Sequence, residues 1–156
     1  MKTTAKIKIP KDHEIDTVDK GTGMVTFRKK PADILSLTTI SSVVAYLGEK
    51  DPDVIDYSKL AKVFNADHHL VNYHLCCLIV KALNEKRTPD WNNNNQTKWT
   101  LWFFMGGSGG FRFLGYDDWH SASVVCSRLC FMEKRLGEHA TKQPEFFNAF
   151  KKFMTY

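Results

Sequence analysis

The hydrophobic period changes along the chain, and each change predicts a different element. At the start it is two: Ile7 and Ile9 share one face of "AKIKIP", and Val25 and Phe27 share one face of "MVTFRKK". "DKGTG", Asp19 to Gly23, reads as the turn between them. The reading is an N-terminal hairpin whose Lys6, Lys8, Lys29 and Lys30 discourage wrong strand pairing rather than bind phosphate. From Thr38 the period becomes helical. Ile40, Val43, Val44 and Leu47 lie on one face, Thr38 or Thr39 can cap the start, and Gly48 can close the end. A second helix, "YSKLAKVF", is expected behind an Asp56 cap.

A third helix, capped by Asp67, is expected from His68 to about Asn84. Its Val71, Leu75, Leu78 and Ala82 form one stripe, widened by Cys76, Ile79, Val80 and Leu83, and a stripe that broad marks a central core helix. Pro89 keeps it from running far past Lys86. The period of two then returns in "KWTLWFFMG" and "GFRFLGY", two aromatic strands separated by "GGSGG". "SVVCSRLCF" reads as a third strand with Val125, Leu129 and Phe131 on one side. A C-terminal helix follows, broken at Pro144, with Phe146 or Phe147, Phe150 and Phe153 on its apolar face. The fold class is α+β: an N-terminal β-hairpin, three helices, an aromatic antiparallel sheet and a C-terminal helix.

Composition adds bounds. The 156 residues, 43% of them apolar, suit one globular domain spanning residues 1–156. The net charge of +5 permits a polyanionic partner but is also an ordinary solubility device. "MKTTAKIKIP" has no apolar run of the length an export signal needs, and no stretch approaches a membrane span, so the expectation is a cytoplasmic protein that does not engage membranes, in the host cell cytoplasm if phage-encoded, with the virion as the alternative. Cys76, Cys77, Cys126 and Cys130 are then read as reduced, mostly buried thiols.

Candidate chemistry is thin. "SKLAKVFNADHHLVNYHLCCLI" has helix-turn-helix spacing, with Ala61 at the helix crossing, Asn65 at a left-handed turn and Val71 locking the second helix. Yet the helix that would read DNA presents His68, His69, Asn72 and Tyr73, with no Arg or Lys before Lys81. His68, His69, His74, Cys76 and Cys77, and farther on His120, Cys126 and Cys130, lack the paired short spacing of structural zinc, so no metal and no cofactor is expected. His74 is read as a largely buried histidine with one hydrogen-bond partner. Asp117, Asp118 and His120 in "GYDDWHSAS" are the best catalytic grouping available, and they read more readily as turn chemistry.

In "TPDWNNNN" the asparagines favour turns, and Trp91 is expected to pin that loop onto the domain, stabilising the fold by roughly 2 to 3 kcal/mol.

The pieces "ALNEKRTPDW", "QTKW" (Gln96 to Trp99) and "SRLCF" followed by a helix, in this order within nearly the whole chain, resemble a family of small uncharacterised proteins from gut bacteria of the Bacteroides group, their phages and prophages. The resemblance implies a phage or mobile-element setting and no reaction. Lys86-Arg87 stands where that family tends to have Gly-Trp, and "QPEFF" places a proline in its last helix. The glycine-framed segment Met105 to Val124 looks like the variable part, where interaction specificity could sit.

The resulting expectation is a non-enzymatic phage or prophage accessory protein that binds a macromolecular partner through Trp91, Lys98, Trp102, Arg112, Tyr116 and Trp119. One alternative is a nucleic-acid binder, using the aromatics as single-strand stacking platforms beside Lys98, Arg112 and Arg128, or using the helix-turn-helix at 58–80. Another is a small hydrolase-like enzyme around Asp117 to His120.

Overall fold

The computed structural model describes residues 7–10, 13–19, 21–29, 33–107, 109–122 and 127–155. The chain divides into two compact units, 1–33 and 34–156, which are described separately.

The first unit is an antiparallel hairpin of β1 (His13–Val18) and β2 (Val25–Lys29). Asp19 makes the turn: its Oδ1 accepts from the Gly21 and Thr22 N–H groups at 2.7 and 3.2 Å. Its carbonyl accepts from Gly23, whose φ of 70° suits a residue without Cβ. So tight a turn pairs the residues next to it, with Val18 opposite Val25 and Ile15 opposite Phe27. The strand therefore lies after Pro10, and Ile7 and Ile9, expected in it, sit in an exposed segment without regular structure. Of the edge lysines, Lys6 and Lys30 lie outside the described residues.

The second unit is built around a central helix. α1 (Ile40–Leu47) starts at Thr39, which exchanges side-chain and backbone hydrogen bonds with Ser42, and ends at Gly48, φ 93°. α2 (Pro52–Val63) begins a turn earlier than expected, because Asp51 accepts from Asp53 N–H at 3.0 Å and Pro52 occupies the first helical position. Asp56 lies inside the helix and pairs with Lys59. α3 (His69–Leu83) is capped by His68, whose Nδ1 accepts from Leu70 N–H, and not by Asp67. Asp67 instead meets Lys152 at 2.7 Å. Every member of the expected stripe of α3 is buried.

α3 ends before Pro89 can act. The N–H groups of Glu85 and Lys86 fold back onto the carbonyls of Ala82 and Lys81, with Glu85 and Lys86 at φ 57° and 63°. Lys86 is held there by its ammonium, which donates to Leu47 O at 3.1 Å and lies over the Tyr46 ring.

β3 (Lys98–Phe104) and β4 (Arg112–Trp119) form the second antiparallel pair, with a bulge at Leu114. α4 (Lys134–Lys142) and α5 (Pro144–Met154) are separate helices because Pro144 starts the second, as its sequence position suggests. Gly137 lets α4 lie against the sheet: a Cβ there would meet Leu101 at 3.0 Å and Phe131 and Tyr116 at 3.4 Å. Phe103 then packs among Phe111, Phe113, Phe147 and Phe150, with ring centroids 4.8 to 6.1 Å apart.

The expected third strand, "SVVCSRLCF", is corrected over its described residues, 127–131. Residues 123–126, Val125 among them, lie outside the described residues, and Ser127–Leu129 form a 3-10 turn. Among the described residues of this segment Phe131 pairs with β3, exchanging both backbone hydrogen bonds with Trp99. On the far side of Phe131, Asn84 acts as a substitute for a neighbouring strand: its Nδ2 donates to Cys130 O at 2.8 Å and its Oδ1 accepts from Met132 N–H at 2.9 Å. Strand propensity in "SRLCF" is overridden by that tertiary capture.

Candidate functional site

Alternation along β3 sends Trp99, Leu101 and Phe103 to the core and Lys98, Thr100, Trp102 and Phe104 to the opposite face. On that outer face Trp102 stands opposite Gly115, which offers no side chain to cover it, and is 45% exposed. Phe104 is 39% exposed with the Arg112 guanidinium 4.2 Å from its ring centre. Met105 at 48% and the bulged Leu114 at 61% continue the patch. Large apolar side chains thus gather at one end of the sheet.

The other end of the same face is closed. Lys98 is fully buried, although a lysine on a strand was expected to meet a partner. Its ammonium donates to Asn93 O at 2.9 Å and lies 5.4 Å from the centre of the half-buried Trp91 ring. The asparagine run makes this enclosure possible. Asp90 accepts from Asn92 N–H, Asn93 Oδ1 accepts from Asn95 N–H, and Gln96 Oε1 accepts from Asp90 N–H, so the loop closes on itself and turns a carbonyl onto the lysine. Trp119 is half-buried and donates from Nε1 to Thr100 Oγ1 at 3.1 Å. Tyr116 is on the core face, 4.8 Å from the Phe113 ring centre and under the Lys134 ammonium. Burial raises the Tyr116 phenol pKa, against a hydrogen bond with the Thr141 side chain that lowers it.

Of the six residues expected at a partner surface, Trp102 and Arg112 are therefore exposed, whereas Trp91, Tyr116 and Trp119 are half-buried and Lys98 is enclosed. No sequence signal marks Lys98 as buried, because what covers it is a loop shaped by its own side chains.

One edge of β3 pairs with β4, and the other is met, among the described residues, by Phe131 at Trp99. Since backbone groups of alternate residues point to the same edge, Leu101 and Phe103 present N–H and C=O groups there without a partner among the described residues. Beside them lies a cavity of about 440 Å³, walled by Leu129 and by Phe150, Phe153 and Met154 of α5.

The remaining candidates are dispersed. Along α3 Leu70 is exposed and Tyr73, His74, Cys77 and Lys81 are half-buried; Ala61 is exposed, and Asn65 is not left-handed. Asn72, expected on the surface, is buried and donates to Ala66 O and His68 O at 2.9 and 3.1 Å. His74 is half-buried, edge-on to Tyr73. His120 Nε2 lies 4.0 Å from Asp118 Oδ2, both well exposed. Among the described residues no three His, Cys, Asp or Glu side chains group as metal ligands, and no helix is long and apolar enough to cross a membrane. The chain matches no protein-family model, no curated protein and no solved structure.

Proposed function

We propose that the chain is a non-enzymatic binding module that engages a protein partner through the β3–β4 sheet. The observation that carries this reading is the exposed cluster of Trp102, Phe104, Met105 and Leu114 at one end of the sheet. Single exposed apolar residues are ordinary, but a contiguous group rimmed by a cation favours an interface. A protein is preferred to a nucleic acid because Lys98, the cation nearest the strand aromatics in sequence, is enclosed and unable to meet a phosphate. The family resemblance supports an accessory role in a phage or prophage, inside the host cell.

The test is photocrosslinking in cells, with a benzoyl-phenylalanine placed at Trp102 or, as a control, at the exposed Val63 of α2. The reading expects a discrete protein adduct from position 102 that is absent from position 63. Adducts to nucleic acid, or none specific to position 102, contradict it.

A further inference from the structure

We propose that the open edge of β3 receives an extended segment of a partner protein, apolar at alternate positions and acidic at its flanks, as an added strand. The inference rests on the reading above and specifies its chemistry. Leu101 and Phe103 offer two sets of backbone donors and acceptors on one edge, beyond the point where Phe131 stops pairing. Such groups bind most readily to another extended backbone, since a strand satisfies a donor and an acceptor at every second residue. The cavity beside them supplies what an edge alone lacks, a place for side chains. It is lined by both faces of β3 from Thr100 to Phe103, so it runs along the strand's edge and not over one face.

About 440 Å³ falls within the range of pockets that hold small ligands, and is room enough for a few apolar side chains of an incoming strand. Those side chains would meet Leu129, Phe150, Phe153 and Met154, with no charged group among the described residues of the lining.

Charge selects among occupants. Arg128 and Lys151 are exposed and adjoin in sequence Leu129 and Phe150, which line the groove. A second copy of this chain docked by a two-fold axis would bring that edge against itself, cation against cation. A segment with aspartate or glutamate at its flanks meets the same cations favourably, and would also associate faster at low salt.

The experiment pans the immobilised full chain against a displayed library of short linear peptides, with M154E protein, which places a carboxylate in the groove from an exposed helix position, as the parallel bait. The expected result is a consensus of alternating apolar residues with acidic flanks. Selected peptides should bind roughly tenfold or more weaker to the variant. They should also slow amide exchange at Leu101 and Phe103, and lose binding when their own alternate amides are N-methylated. Peptides that leave those two amides unprotected, or enrich equally on the variant, overturn the inference. A dimer that protects the same amides without peptide overturns it in favour of a second copy. Failure of the panning while position 102 still crosslinks to a protein removes the added strand and leaves the binding module; loss of the crosslink removes the module itself.

Discussion

Trp99 and Phe131 exchange both of their backbone hydrogen bonds at 2.8 Å, and among the described residues the pairing of β3 on that side ends with them. This one-residue bridge fixes the sheet to the helical part of its unit, because Phe131 is fully buried and Asn84, at the end of α3, holds the backbone on either side of it. Among the described residues nothing pairs with the rest of that edge.

Asn84 is therefore expected to matter far more than its position at a helix end suggests. Asn84→Ala removes the hydrogen bonds to Cys130 O, which is buried, and to Met132 N–H, which is part-buried, and should lower stability by about 2 to 4 kcal/mol. Urea unfolding monitored by circular dichroism measures it. A loss below about 0.5 kcal/mol would mean that water replaces the carboxamide.

Trp91 and Lys98 should be energetically coupled. The ring covers an ammonium that has one protein hydrogen bond, so Trp91→Ala should lower the melting temperature in the native background and less so in a Lys98→Met background. A double-mutant cycle should give roughly 0.5 to 2 kcal/mol of coupling. Additive effects would show that Trp91 holds the loop by packing alone.

Much of this architecture is legible in the sequence, and the parts that are not share a cause. α1 between Thr39 and Gly48, the buried stripe of α3 and the division at Pro144 follow from local chemistry: a capping hydroxyl, a wide apolar face, an imino acid. The start of α2 was also legible, in the Asp51-Pro52 pair, but is obscured by the stronger apolar pattern downstream. The third strand, the enclosure of Lys98 and the burial of Asn72 depend on contacts from elsewhere in the fold: Asn84 from 46 residues away, a carbonyl of the asparagine loop, and carbonyls preceding α3. At the candidate site, alternation identified Trp102 as a strand residue but could not choose its face, because both faces of "KWTLWFF" are apolar.

The link between α2 and α3 gives a pH signature. Lys81 donates to Asp51 and Asp53 at 2.7 and 2.6 Å. Burial pushes the Asp51 carboxyl up, but the Lys81 hydrogen bond, the Asp53 N–H and the ammonium charge together hold it below its ordinary 3.8. Burial likewise pushes Lys81 down, and its bonds to the two carboxylates raise it above 10.5. The Asp51 contribution is present above its ordinary value and is lost as pH falls through the depressed one; the Lys81 contribution is present below its ordinary value and is lost as pH rises through the raised one. The stability difference between the native chain and Lys81→Met should thus be constant from about pH 5 to 9 and shrink on both sides. A difference independent of pH across the acid limb would show that the ion pair does not link the helices.

Amide hydrogen exchange on the isolated protein reads directly whether the edge of β3 beyond Trp99 is open. The N–H groups of Trp99 and Phe131 should be strongly protected, each being bonded to the other's carbonyl at 2.8 Å, while those of Leu101 and Phe103 should exchange at least roughly a hundredfold faster. Protection at Leu101 and Phe103 equal to that of Trp99 would mean that the edge is already paired, and would contradict the account.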